Sequence, residues 1–157
     1  MRTIPVLLVL VAACGTSDDG SGEVALGGTI AGSVNGDHFE AKYGFAGTHG
    51  DDNTPLIAFG EANLDCTTDP SHSEIHGIGA FITGFEYESI GTPQDDAFVE
   101  VFRYKGTHYQ LAGSSSNTFT LTAVDETSVA GTIDFGYTTD DGDDFALTGD
   151  FVVTRCP

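Results

Sequence analysis

Histidine, aspartate and cysteine are the residues of this 157-residue chain whose spacing bears most directly on chemistry. His72, Glu74 and His76 stand at alternate positions in His72-Ser73-Glu74-Ile75-His76, a pattern that suggests a transition metal. On a straight strand they share one face, but His72 and His76 then lie about 13 Å apart, too far to share an ion held by bonds near 2 Å. A bulge or turn is required, and Asp69-Pro70-Ser71 just upstream favours a turn. Solvent-facing polar residues are the simpler expectation. His38, His49 and His108 are isolated and read as surface or turn residues.

The acidic clusters Asp51-Asp52-Asn53, Asp95-Asp96 and Asp140-Asp141-Gly142-Asp143-Asp144 raise calcium, which takes six or more oxygen ligands. None has the EF-hand spacing with its glutamate at position twelve. Asp and Gly are also what hairpin turns prefer, and turns account for all three clusters without an ion. Asp140, Asp141, Asp143 and Asp144 remain the best calcium candidates.

Enzyme motifs are missing from the sequence. There is no Gly-x-Ser-x-Gly elbow and no glycine-rich phosphate loop opening a helix. Paired carboxylates for glycoside hydrolysis are decided by geometry, and 24 acids make any one pair uninformative. The expectation is a non-enzymatic protein that needs no cofactor.

The first thirteen residues form a charged start at Arg2, an apolar run from Ile4 to Val11, and the small exit Ala12-Ala13 ahead of Cys14. An apolar run of about ten residues is half of what a membrane-spanning helix needs, so it reads as an export signal. Val11-Ala12-Ala13-Cys14 resembles the lipobox of bacterial lipoproteins, which implies cleavage before Cys14 and diacylglyceryl attachment to its thiol. Two or three acyl chains, at about 0.8 kcal/mol per buried methylene, hold such a protein on the membrane stably. Gly15, rather than Asp, follows the cysteine, and by resemblance to enterobacterial sorting this favours the outer membrane. The expected location is the cell envelope.

Cys66 and Cys156 remain, and in an oxidising exported compartment an even pair reads as a disulfide. Loss of residues 1–13 leaves four Lys and Arg against 24 Asp and Glu, a formal charge of −20. Such a chain repels nucleic acid, since phosphate binding needs clustered Lys and Arg, and Lys42, Arg103, Lys105 and Arg155 are scattered. Residues 15–26 are small, polar and aperiodic, as in a flexible tether. The expected organisation is a signal over 1–13, lipidated Cys14 and tether over 14–26, and one domain over 27–157.

The elements that must position these residues read as strands. Phe39, Ala41, Tyr43 and Phe45 alternate with His38, Glu40 and Lys42. Phe119, Leu121 and Ala123 alternate with threonines. Val129, Ile133, Phe135 and Tyr137 form a third face, and Phe145, Leu147, Phe151 and Val153 a fourth. No helical period appears, and 21 glycines weigh against helices. Asn35-Gly36 is a strong type I′ hairpin signal, and Asp141-Gly142 and Lys105-Gly106 read the same way. The spacing predicts eight or nine strands, about 28–34, 38–46, 55–63, 75–87, 97–105, 107–113, 117–125, 128–138 and 144–154. The fold class is all-β, an antiparallel β-sandwich or small β-barrel.

Gly32-Ser-Val-Asn-Gly36 followed by Phe39, then Asp65-Cys66, then Val129-Ala-Gly-Thr-Ile-Asp-Phe135, Leu147-Thr-Gly-Asp-Phe151 and Cys156 together resemble a recurrent type of uncharacterised small lipoprotein of Gram-negative bacteria. The resemblance implies a shared β fold and the cysteine pair, and it implies no activity. The leading expectation is a membrane-tethered domain with a structural role or an envelope protein as partner. The alternatives are a small-ligand carrier with a barrel cavity, whose interior Phe45, Phe59, Phe81, Phe119 and Phe135 would otherwise fill, and a divalent-metal-binding domain.

Overall fold

The computed structural model describes residues 25–49, 53–61, 64–67, 77–105, 108–115 and 117–157. The described residues form ten strands and no helix: β1 (Gly27–Val34), β2 (Asp37–Glu40), β3 (Tyr43–His49), β4 (Thr54–Gly60), β5 (Ile78–Thr83), β6 (Phe98–Lys105), β7 (His108–Ser114), β8 (Asn117–Val124), β9 (Ser128–Thr138) and β10 (Asp144–Arg155). They make one sheet curled into a half-barrel, in the order β2-β1-β10-β3-β4-β5-β6-β7, with β9 and then β8 branching from the other edge of β10. The all-β expectation holds.

β10 is the hub because it is long enough to serve three neighbours. Phe145 to Val152 pair antiparallel with β1, and Asp144 to Thr154 pair with β9 on the opposite edge. Beyond the start of β1, Thr154 and Arg155 pair in parallel with Phe45 and Ala46 of β3. Two residue pairs and the bond from Cys156 N to Ala46 O (2.7 Å) thus join the two halves of the sheet. Gly149, at φ 138°, sits where a Cβ would run into the carbonyl oxygen of Thr29, so only glycine lets β1 lie this close.

The interior between the halves is aromatic. Phe59, Phe119, Phe135 and Phe151 are fully buried there, with Phe59 edge-on to Phe151 (5.3 Å between centroids) and Phe119 edge-on to Phe85 (5.3 Å). Each such side chain contributes about 1.5–3 kcal/mol by leaving water. A second, smaller cluster of Phe45, Leu56, Ala58, Leu64, Phe81 and Phe102 lies on the other face of β3 to β6. Buried on both faces, β4 and β5 show continuous rather than alternating burial. The five phenylalanines expected to fill one interior are therefore divided, Phe45 and Phe81 belonging to the second cluster.

Four expectations change in detail. The strand expected over 38–46 breaks at Ala41-Lys42, where Ala41 N still bonds Ile30 O while Lys42 N bonds Gly60 O (both 2.9 Å). The chain changes halves there, so Phe39 and Ala41 face the main core and Tyr43 and Phe45 the second. A bulge between Leu121 and Ala123 adds one residue to β8, which turns Ala123 out and brings Val124 against the core. Tyr137 is exposed, because β9 runs past the start of β8, whose Asn117 pairs with Phe135. Among the described residues of the strand expected over 75–87, β5 covers Ile78–Thr83 and a loop follows over 84–97.

Asn35 (φ 51°) and Gly36 (φ 78°) both take positive φ, as a type I′ turn requires. Asp141-Gly142 does not repeat this. Gly142 has φ 86° and Asp141 is not in that region, while Gly142 N bonds Thr139 O and Thr139 N bonds Asp143 O (both 2.9 Å). This is a longer loop in which Gly alone takes the left-handed position. β6 and β7 pair out to Lys105 and His108, and the residues between them lie outside the described ones.

Candidate functional site

The loop over 84–97 crosses from β5 to the edge of β8 and shapes two hollows. Gln94 fixes it: its Oε1 accepts from Glu86 N (2.7 Å), and its Nε2 donates to Glu86 O (3.1 Å) and Ser89 O (3.4 Å). Gly91 N and Gln94 N then donate to Leu121 O (2.7 Å) and Phe119 O (2.8 Å), covering the outer edge of β8. Under the loop lies a hollow of about 350 Å³ with Glu86, Gln94, Asp95 and Asp96 on its walls.

The second hollow, about 260 Å³, opens at the end of β10 between Gly47, Tyr87, Glu126, Arg155 and Cys156. Arg155 stacks over the Tyr87 ring, its Cζ 4.8 Å from the centroid, and its Nη1 donates to Asp125 O (3.1 Å). Tyr87 donates its hydroxyl to Gly47 O (3.1 Å) and meets Phe85 edge-on at 5.2 Å. Burial pushes the Tyr87 phenol above its ordinary value, and the Arg155 charge offsets part of that rise.

The turn that carries Glu126 is held by Asp125. One carboxylate oxygen accepts from Thr127 N (2.7 Å), Thr127 Oγ1 (2.9 Å) and Ser128 N (2.7 Å), and the other from Ser128 Oγ (2.9 Å). These bonds hold the carboxyl at about 2, with the Thr127 amide the largest cause. Arg155 N adds a bond to Thr127 O (2.8 Å), which ties the turn to the end of β10. Glu126 projects from this clamped turn as an exposed side chain.

Arg155 makes no ion pair with a carboxylate among the described residues, whereas Arg103 pairs with Asp37 across the curl of the sheet. Sequence reasoning missed the Arg155 hollow. Arg155, Tyr87 and Glu126 are each unremarkable alone, and only the fold brings residues so far apart in the chain together.

The residues singled out from sequence fall out as follows. Cys66 and Cys156 stand at disulfide geometry, S–S 2.05 Å and Cα–Cα 5.4 Å, across 90 residues. The clasp sits beside Leu64, which is fully buried over the second cluster. Asp140 and Asp141 are exposed at the tip of the loop between β9 and β10. The Asp143 carboxylate accepts from Asn35 Nδ2 (2.9 Å) and that of Asp144 from Thr138 Oγ1 (2.8 Å), so two of the four acids are engaged within the turn. No group of three metal-binding side chains occurs among the described residues. His72, Glu74 and His76, Asp51 and Asp52, Cys14 and residues 1–13 lie outside the described residues. Residues 14–24 of the expected tether lie there too, but Ala25 bridges Tyr43 and Leu26 N bonds Lys42 O (2.9 Å), so the fold begins two residues earlier than expected. Compared with protein-family models, curated proteins and solved structures, the chain matches none.

Proposed function

We propose that this chain is an exported lipoprotein, cut before Cys14, anchored in the envelope by lipid at the outer membrane, whose β domain has no catalytic role and serves as a structural or partner-binding module. The observation that carries the reading is the spacing of Cys14 from the fold. The lipobox-like Val11-Ala12-Ala13-Cys14 closes an apolar run too short to span a membrane, and among the described residues the first backbone bridge is at Ala25, eleven residues later. A short polar tether between lipid and fold is what an anchored domain needs.

The Cys66–Cys156 geometry supports export, since disulfides persist in oxidising compartments. The packed rings of Phe59, Phe119 and Phe151 favour this reading over a central-cavity carrier, because they occupy the space cargo would need. Fractionation of cells making the wild type and Cys14→Ser tests the anchor: the wild type should follow the membrane and the variant should leave it. Cross-linking of intact envelopes followed by purification of the chain should then return a defined protein partner or, for a purely structural role, none.

A further inference from the structure

We propose that the hollow around Arg155, Glu126 and Tyr87 binds a small zwitterion, an oxyanion carrying an ammonium group, of the kind presented by a phosphatidylethanolamine head group or by its free, deacylated form. The first observation is the state of Arg155. In a domain with a large excess of acids its guanidinium is paired with no carboxylate among the described residues; it lies over the Tyr87 ring and uses Nη1 on a backbone carbonyl. The rest of a rigid donor fork, matched to phosphate or carboxylate geometry, remains for a ligand.

The second observation is Glu126 on the wall of the same hollow, held there by the clamped turn at Asp125. A hollow lined by one guanidinium and one side-chain carboxylate matches a ligand with the opposite pair. Net charge points the same way: a free anion is repelled by a domain of formal charge near −20, whereas a neutral zwitterion is not. The volume of about 260 Å³ suits a head group and excludes a large molecule.

Position suggests the source. Arg155 pairs with Ala46, and the chain enters the fold where Ala25 meets Tyr43, three residues along the same strand, so the hollow lies about 10 Å from the tethered end. A membrane source rests on the lipid-anchor reading of the preceding section, while binding of the free zwitterion does not.

The full chain is titrated with glycerophosphoethanolamine while the Arg155 side-chain N–H resonance is followed. We expect a saturable shift with a dissociation constant in the millimolar range, weakened about tenfold or more in Arg155→Gln and about threefold or more in Glu126→Gln. Glycerol phosphate and ethanolamine, each carrying half of the charge pair, should bind at least about tenfold more weakly. Glu126 is exposed, so Glu126→Gln provides the test even if Arg155→Gln fails to fold. Flotation of the Cys14→Ser chain with phosphatidylethanolamine vesicles and with phosphatidylglycerol vesicles identifies the source. Binding to the first alone assigns the head group, and binding of the soluble probe without either vesicle assigns a free zwitterion. No saturable shift with the wild type, or an unchanged response in Glu126→Gln, overturns the proposal, and does so whether or not Cys14 is lipidated.

Discussion

Asn35 and Asp144 hold each other by two hydrogen bonds, Asn35 N to Asp144 O at 2.7 Å and Asp144 N to Asn35 Oδ1 at 2.8 Å, across 109 residues of sequence. With Asn35 Nδ2 on Asp143 Oδ1, one side-chain amide joins the β1–β2 turn to the β9–β10 turn. The joined turns stand at the end of the β1–β10 ladder opposite Gly27, where the chain enters. Eight residues of strand place the acidic loop about 25 Å from Gly27.

Asn35 therefore serves two purposes, a positive φ and a bridge. Asn35→Gly keeps the first and removes the second, and should destabilise the fold by about 1–2 kcal/mol. Asn35→Ala loses both and should cost more. Urea unfolding of the three proteins gives the order, and equal midpoints for wild type and Asn35→Gly would show that the bridge contributes nothing.

Opening the Cys66–Cys156 clasp should lower stability by up to about 4.6 kcal/mol, the chain-entropy value for a loop of 90 residues. The clasp lies at the joint where only Thr154 and Arg155 pair with β3. Melting with and without reductant, repeated on Cys66→Ser with Cys156→Ser, measures the loss. Reductant should have no further effect on the double variant.

Asp125 gives a pH dependence with a defined sign. Its carboxyl is lowered to about 2 by four hydrogen bonds from Thr127 and Ser128. Stabilisation by a depressed carboxyl is fully present above the unfolded value of about 3.9 and is lost as pH falls through the folded value. The melting temperature of Asp125→Ala should lie below that of the wild type at neutral pH, and the gap should narrow only between about pH 4 and pH 2. A gap that closes above that window would assign the effect to another group.

The acidic loop should behave as a turn. The carboxylates of Asp143 and Asp144 are engaged by Asn35 and Thr138, which leaves Asp140 and Asp141 at the tip. Millimolar calcium and magnesium should raise the melting temperature slightly and about equally, and Asp140→Asn with Asp141→Asn should stabilise the metal-free protein by a few tenths of a kcal/mol by relieving repulsion. Stoichiometric calcium binding at micromolar affinity would instead make this loop a metal site.

The strands were legible because period-two burial and the Asn35-Gly36 turn are local signals: all ten strands overlap the nine spans that alternation marks, β2 and β3 sharing one of them and β3 running three residues past its end. What alternation missed was tertiary. The change of halves at Ala41-Lys42 reassigns Tyr43 and Phe45 to a second core, and the bulge at Thr122 shifts the face of β8 by one residue. The Gln94 latch and the Arg155 hollow were illegible because their partners, Glu86, Tyr87 and Glu126, are ordinary residues until the fold brings them together.

Intact mass of the chain recovered from the membrane fraction tests the lipid anchor most directly. The account predicts a mature protein beginning at Cys14, with the added mass of a diacylglyceryl group on that residue, two hydrogens lost at Cys66 and Cys156, and no residue of 1–13 remaining. A chain that stays in the soluble fraction, or that carries an unmodified Cys14, would contradict it.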